Sequence, residues 1–146
     1  MIYEITDNKT QFIPLLLLAD EQESMVMRYL NRGRMFVLDE DGVKAECVVT
    51  DEGNGILEIK NIAVLPEYQG RGYGRMLLSY IEKTFAHAFH TLQVGTGDSP
   101  LAIPFYEHYG FRRSHVVRNF FLENYDHPIV ECGVQLRDMI YLKKHL

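Results

Sequence analysis

Tryptophan is absent from these 146 residues, and cysteine occurs only twice. Cys47 and Cys132 lie far apart, so they make no disulfide framework, and no Cys-x-x-Cys exists for zinc or redox chemistry. Free thiols fit a reducing compartment, and we expect a cytoplasmic protein. Long hydrophobic runs are also missing. The longest near the start, Phe12 to Ala19, is broken by Pro14 and preceded by Glu4 and Asp7, where a signal peptide is basic. It is too short to cross a bilayer, so no membrane association is expected. Positive charge is scarce as well: 15 Lys or Arg stand against 20 Asp or Glu, a net of −5. That balance argues against a broad basic face for nucleic acid. His87 and His90 stand three apart but have no third ligand beside them, so no metal is expected. Repeats, low-complexity tracts and linkers are not seen.

What is present reads as globular. Hydrophobic residues make up 47% and charged residues 24%. The length suits one domain over residues 1–146. A chain of 17.0 kDa should fold to roughly 7,700 Å² of surface, enough burial for a core without disulfides or metals. Charge is divided unevenly. Met1 to Glu58 holds 5 Lys or Arg and 12 Asp or Glu, a net of −7, whereas Ile59 to Leu146 holds 10 and 8, a net of +2. The split points either to two partners of opposite sign or merely to acidic loops that solubilise the first half.

Local patterns order the elements. Ile2 to Ile5 reads as a strand, and Thr10 to Asn31 as two helical pieces meeting near Asp20, with Asp20 as N-cap. Arg34 to Leu38 and Val43 to Thr50 form a hairpin through Asp41-Gly42. Ile56 to Leu65 alternates at its start and is apolar on both faces later, as a central strand would be, and Pro66 stops it. Tyr73 to Phe89 reads as a helix with Leu77, Tyr80, Ile81, Thr84, Phe85 and Ala88 on its apolar stripe. Thr91 to Thr96 is a strand, Pro100 to Tyr109 a helix ended by Gly110, and Phe111 to Val117 a strand. Phe120 to Val134 has no clean period, and Leu136 to Leu142 closes as a strand. Hairpins first and α/β crossovers after give an α+β, or mixed α/β, fold with helices flanking a central mixed sheet.

The chemistry concentrates in Ile59 to Leu78. Gly70, Gly72 and Gly74 alternate where a strand hands over to a helix. A helix N-terminus has unpaired N–H groups and partial positive charge, and glycines let a phosphate come close to the backbone. Arg71 and Arg75 add charge beside it. The spacing excludes a Rossmann fingerprint, because Arg75 stands where the third glycine belongs, and no Gly-Lys-Ser/Thr exists for a triphosphate loop. The residues point to a pyrophosphate.

Gln69-Gly70-Arg71-Gly72-Tyr73-Gly74 resembles the Q/R-x-x-G-x-G/A signature of the GNAT superfamily of N-acetyltransferases. Asn61 to Pro66 resembles the hydrophobic strand that precedes it there, and Ala102 to Phe111 resembles the later F-Y-E-x-x-G-F block. The resemblance runs from Ile2 to Leu142 and is strongest between Glu58 and Phe111. The tail, Tyr125 to Ile129 and Asp138-Met139, is similar to a group of small bacterial acetyltransferases.

That resemblance implies transfer of an acetyl group from acetyl-CoA to a primary amine, with no metal. It implies that Ile62 and Val64, with Ala63 between them, pair with pantetheine through the backbone in a gap between two strands. One of their N–H groups would polarise the thioester carbonyl. Gln69, Gly70, Arg71, Gly72, Tyr73, Gly74 and Arg75 would hold the pyrophosphate, the arginines by side chain or only by field. Tyr106 matches the family's general acid, with Phe105 beside it. Read without the family, Tyr106 is a packing residue on a helix stripe. Glu58 matches a general base in several relatives, whereas others use a water chain. Taken by itself it is an exposed strand glutamate beside Lys60. Ser99 stands where many relatives have an asparagine that contacts pantetheine, and it could equally cap the helix at Pro100. Pro104 inside that helix implies a kink or a later start. Phe120, Phe121, Tyr125, Asp126 and Glu131 fall where relatives shape the acceptor pocket, and aromatics with carboxylates suit a cationic amine. The rival readings are an acyl-CoA sensor without turnover and an acyltransferase for longer chains. The identity of the amine, the acyl-chain preference and the oligomeric state are not legible, although relatives are often homodimers.

Overall fold

Asp41 and Gly42 both adopt positive φ, 55° and 109°, which suits the tight turn of a hairpin. That turn joins two strands of a seven-stranded sheet in the computed structural model, which describes residues 1–146. In chain order the elements are β1 (Ile2–Ile5), α1 (Ile13–Leu16), α2 (Glu23–Val26), β2 (Arg34–Asp39), β3 (Val43–Asp51) and β4 (Ile56–Val64). Then follow α3 (Tyr73–Phe85), β5 (Thr91–Gly97), α4 (Ala102–Tyr109), β6 (Arg112–Val117) and α5 (Phe120–Asn124). β7 (Val130–Glu131), β8 (Val134–Gln135) and β9 (Met139–His145) complete the chain. The sheet order is β1-β2-β3-β4-β5-β9-β6, with β7 and β8 as a separate hairpin. Only β4 and β5 run parallel. The fold is the mixed α/β arrangement expected, with β4 at the centre of the sheet. Its accessible surface is 7960 Å².

Strand alternation divides the core between the two faces. Phe36, Leu38, Cys47 and Val49 meet Leu77, Leu78, Ile81 and Phe85 of α3 on one face. Met35, Val37 and Val48 meet Leu16, Val26 and Leu30 from the α1–α2 region on the other. A third cluster, Phe121, Ile129 and Leu136, lies under the C-terminal loops.

One irregularity in β4 organises the centre. Val49 of β3 pairs with Ile59 and Val48 pairs with Asn61, so Lys60 is an extra residue on β4, a β-bulge. Leu57 and Ile59 face α3, and beyond the bulge Asn61 turns to the opposite face, where it bonds Leu16 and Tyr29. Pairing between β4 and β5 ends at Ile59↔Val94, although both strands continue. Past that point they diverge.

Several elements differ from the sequence reading. The stretch Thr10 to Asn31 is broken into short turns, and Asp20 caps none of them. Gln22 precedes α2 and makes no side-chain cap bond, because the Asp20 carboxylate accepts from the Tyr29 and Tyr125 hydroxyls instead. Helix α3 stops at Phe85, and its buried stripe uses Leu78 rather than Thr84 or Ala88, both exposed. Helix α4 starts at Ala102, not Pro100. Pro104 then falls in the first turn, where its missing N–H would have no intrahelical partner anyway, and no kink is needed. The last strand is Met139–His145, later than Leu136 to Leu142, since Val134–Gln135 is taken by the β7–β8 hairpin. Leu77 is fully buried between α3 and the sheet. Leu77→Ala should lower unfolding free energy by about 2–5 kcal/mol, measurable by urea denaturation.

Candidate active site

The divergence of β4 from β5 opens a groove of about 920 Å³ on the sheet's α3–α4 side. Its walls are Ile62, Ala63 and Val64 of β4, the loop and helix start Gln69, Gly70, Gly72, Tyr73, Gly74 and Arg75, and Phe105 and Tyr106 of α4. The backbone of β4 contributes directly. The Leu65 N–H bonds the Lys44 carbonyl at 2.8 Å, and the register places Ala45 opposite Val64. Antiparallel alternation therefore turns Asn61 and Ala63 toward β3, and leaves the N–H and C=O groups of Ile62 and Val64 facing the opening. Gln69 fixes the corner: its Nε2 donates to the Val64 carbonyl at 3.2 Å.

The far end of the groove is built for an anion. Gly70 and Gly72 adopt φ of 77° and 82°, a conformation that disfavours side chains. Gly72 precedes α3, and no side chain caps that helix. Its first N–H groups and the positive end of its dipole are therefore free for a ligand. A Cβ at Gly74 would come within 3.3 Å of Phe105, so glycine also permits the close packing of α3 and α4. Arg75 lines the groove, with its guanidinium 5.2 Å from the Tyr109 ring centre. Arg71 lies over Tyr68 at 4.7 Å and is not part of the groove wall.

A second cavity of about 240 Å³ continues from the first. Both are bounded by Leu18, Ala19, Ile62, Ala102, Tyr106 and Glu131, so Tyr106 stands at the neck between them. Tyr106 is buried, with edge contacts to Phe105 and Phe111 at 5.1 and 5.6 Å between ring centres. Burial, followed by the nearby Cys47, Glu46 and Glu131, pushes its hydroxyl well above the usual tyrosine range. It is therefore a proton-bearing hydroxyl at neutral pH.

Two distant segments roof the second cavity. Tyr125 donates to Asp20 Oδ1 at 2.7 Å, and the Asp126 N–H donates to Gln22 Oε1 at 3.0 Å. His127 Nε2 meets Glu21 Oε1 at 2.8 Å, and Arg28 donates to Asn124 at 3.2 Å. The acidic loop between α1 and α2 is thus fastened to the segment after α5. Phe121, Tyr125 and Glu131 line this cavity. Phe120 instead lines a rear cavity, and Asp126 bonds His127.

Glu58 is not exposed. It is 5% accessible, accepts from Gln93 Nε2 and pairs with Lys60 Nζ at 2.7 Å. It opens on the rear cavity of about 230 Å³, which shares Asp20, Ile59, Lys60, Gly95, Tyr125 and Met139 with the second cavity. Ser99 is buried and lines neither the groove nor the second cavity; it accepts the Leu101 N–H at 3.3 Å in the turn ahead of α4, whose N-cap, Leu101, carries no side-chain cap bond, so it does not cap the helix either. Asn61 and Asp20 are the residues the sequence reading overlooked as site groups. Adjacent polar residues at Lys60-Asn61, in an otherwise apolar run, signal the bulge that turns Asn61 inward. Asp20 carried no such signal.

Comparison with known proteins agrees with this geometry. The family described as "Acetyltransferase (GNAT) domain" matches residues 31–113. The chain is 35% identical over 139 residues to an uncharacterized N-acetyltransferase, YvbK, of Bacillus subtilis, covering 93% of this chain and 90% of that protein. A GNAT family acetyltransferase from Elizabethkingia anophelis, solved with acetyl-CoA bound, superposes with TM-score 0.94 at 32% identity, over 100% of this chain and 97% of that one. A Bacillus subtilis acetyltransferase in complex with CoA gives TM-score 0.88 at 34% identity, over 99% and 97%. Gly72→Val tests the anion site. No protein atom lies within 4 Å of a Cβ placed there, so the side chain would project into open space while straining the backbone. Affinity for acetyl-CoA should fall at least about 100-fold by calorimetry, with the native circular dichroism spectrum retained.

Proposed function

Because the chain belongs to the GNAT family of acetyltransferases and uses acetyl-CoA as donor, we propose that it acetylates a primary amine by direct attack. The observation that carries the mechanism is the neck at Tyr106, where a groove with an anion-binding end meets a second, smaller cavity. Acetyl-CoA occupies the groove, its pyrophosphate at Gln69–Arg75 and its pantetheine along Ile62–Val64. The amine enters from the second cavity.

An alkylamine has a pKa near 10.4 and must lose a proton before it can attack. The neutral nitrogen then adds to the thioester carbonyl carbon. A free β4 N–H stabilises the oxyanion. Collapse breaks the C–S bond, and Tyr106 gives its proton to the departing thiolate. The first proton, lost before attack, leaves toward Glu58, directly or through water, and the second, shed by the nitrogen after attack, restores the Tyr106 hydroxyl. The wall shared by the second and rear cavities supports a route through water. The net reaction yields amide, free CoA thiol and one proton.

In this reading, residues 1–146 act as one acetyltransferase domain in the cytoplasm. Free Cys47 and Cys132 suit that compartment, and no helix is long and apolar enough to cross a membrane. Acetyl-CoA at 100 times its Kd should stabilise the protein by about 2.7 kcal/mol, seen as a rise in Tm. Tyr106→Phe should lower kcat by about 10²–10⁴ while acetyl-CoA affinity holds, read by thiol release and calorimetry. Equal loss of both would make Tyr106 a packing residue, and binding without thiol release across an amine panel would leave a sensor.

A further inference from the structure

The second cavity contains chemistry that the transfer step does not use. Asp20 lies on its wall with both carboxylate oxygens engaged by neutral donors, Tyr29 at 3.0 Å and Tyr125 at 2.7 Å, and with no cationic partner. Glu131, on the same wall, is in no ion pair either. Lys60, on the same wall, is already paired with Glu58 at 2.7 Å. Glu21 is held by His127. Asp20 and Glu131 are therefore the carboxylates of this wall that no ion pair engages.

Asn61 gives an independent indication. It is 3% accessible and lines the same cavity. Its Nδ2 donates to the Leu16 carbonyl and the Tyr29 hydroxyl, both at 3.0 Å. These bonds fix the orientation of the amide and leave Oδ1 buried without a donor. A buried acceptor left unpaired is unfavourable, so an N–H supplied by a ligand is favoured there. Asn61, Tyr29, Asp20 and Tyr125 form one hydrogen-bonded chain, so the orphan oxygen and the unpaired carboxylate are positioned together.

Size and polarity narrow the ligand. About 240 Å³ is below the range of roughly 300–1,000 Å³ usual for drug-sized ligands. Apart from its acidic wall, the cavity is lined by Phe121, Ile129, Leu136, Met139 and Val94. We propose that the acceptor is a compact primary alkylammonium. Asp20 and Asn61 Oδ1 hold its nitrogen, and its apolar body packs against Phe121, Leu136 and Met139. This rests on the acetyltransferase reading and adds the acceptor's chemical class and the residues that select it.

Asp20 is also the group whose ionisation the pH profile should report. Burial raises its pKa above the usual carboxylate value, while the Tyr125 and Tyr29 hydroxyls lower it. Glu21 and Glu131 face it from the front cavity, and Arg28, Arg32, Glu58 and Lys60 from the rear one.

The test uses thiol release from acetyl-CoA with phenethylamine as the compact alkylammonium, spermidine as a polycation, and 4-aminobenzoate as an aryl amine without the ammonium. Wild type should favour phenethylamine. Asp20→Asn should raise its KM at least about tenfold, the loss of one charge-assisted bond, with acetyl-CoA affinity unchanged. Tyr125→Phe keeps the carboxylate and removes one donor, so the acidic limb of kcat/KM should move to higher pH. Unchanged KM in Asp20→Asn, an unmoved limb in Tyr125→Phe, or preference for 4-aminobenzoate or spermidine would overturn the inference. Acetyl-CoA binding with no turnover or binding of phenethylamine would overturn it too, leaving the donor site intact. Absence of any stabilisation by acetyl-CoA would instead defeat the acetyltransferase reading itself.

Discussion

A central strand that carries one residue more than its neighbour cannot keep its register on both sides. In β4 that residue is Lys60, and most of the site follows from it. The bulge ends the pairing with β5 after Ile59 and frees the backbone of Ile62 and Val64. It also reverses the strand's alternation, bringing a polar side chain, Asn61, to a buried position. The same insertion thus opens the groove and furnishes the second cavity with a polar side chain. Lys60 lines that cavity too, with its charge paired to Glu58 on the same strand.

The interior around this opening is unusually polar for a small protein. Glu46 is fully buried on β3, and neither of its carboxylate oxygens has a hydrogen-bond partner. Burial pushes its pKa well above the ordinary carboxylate range. Asn61 Oδ1 on the neighbouring strand is also unpaired. Each such atom costs about 1–3 kcal/mol, against a net stability of only 5–15 kcal/mol for typical proteins. The two well-packed clusters on either face of β2 and β3 offset these costs.

The elements that shape the groove are legible in the sequence far better than those that shape the second cavity, for a physical reason. Gln69 to Arg75 and Ile62 to Val64 are nearly contiguous, so strand, loop and helix start are specified locally. Glycine at positive φ is a readable requirement. The block around Tyr106 was equally compact. The burial of Glu58 was not legible, because it depends on Gln93 from β5 and on Lys60 folded back from the bulge. Asp20 was misread as a helix cap. Its partners, Tyr29 and Tyr125, are contributed by a later turn and by a loop 105 residues away. No local window can register that competition for its carboxylate. Asp20 and Glu21, which line the second cavity, belong to the part of the chain with the net of −7.

The roof fastened by Asp20–Tyr125, Gln22–Asp126 and Glu21–His127 has an evolutionary consequence. The groove takes its β4 edge, glycine loop and helix start from one short stretch, Ile62 to Arg75, so substitutions elsewhere leave that wall alone. The second cavity instead takes its roof from side chains on two surface segments joined by polar contacts. Those segments can exchange residues together without disturbing the strand bulge or the glycine turn. Descendants of this chain can therefore reshape the second cavity while inheriting the same groove, and the two drift on separate clocks.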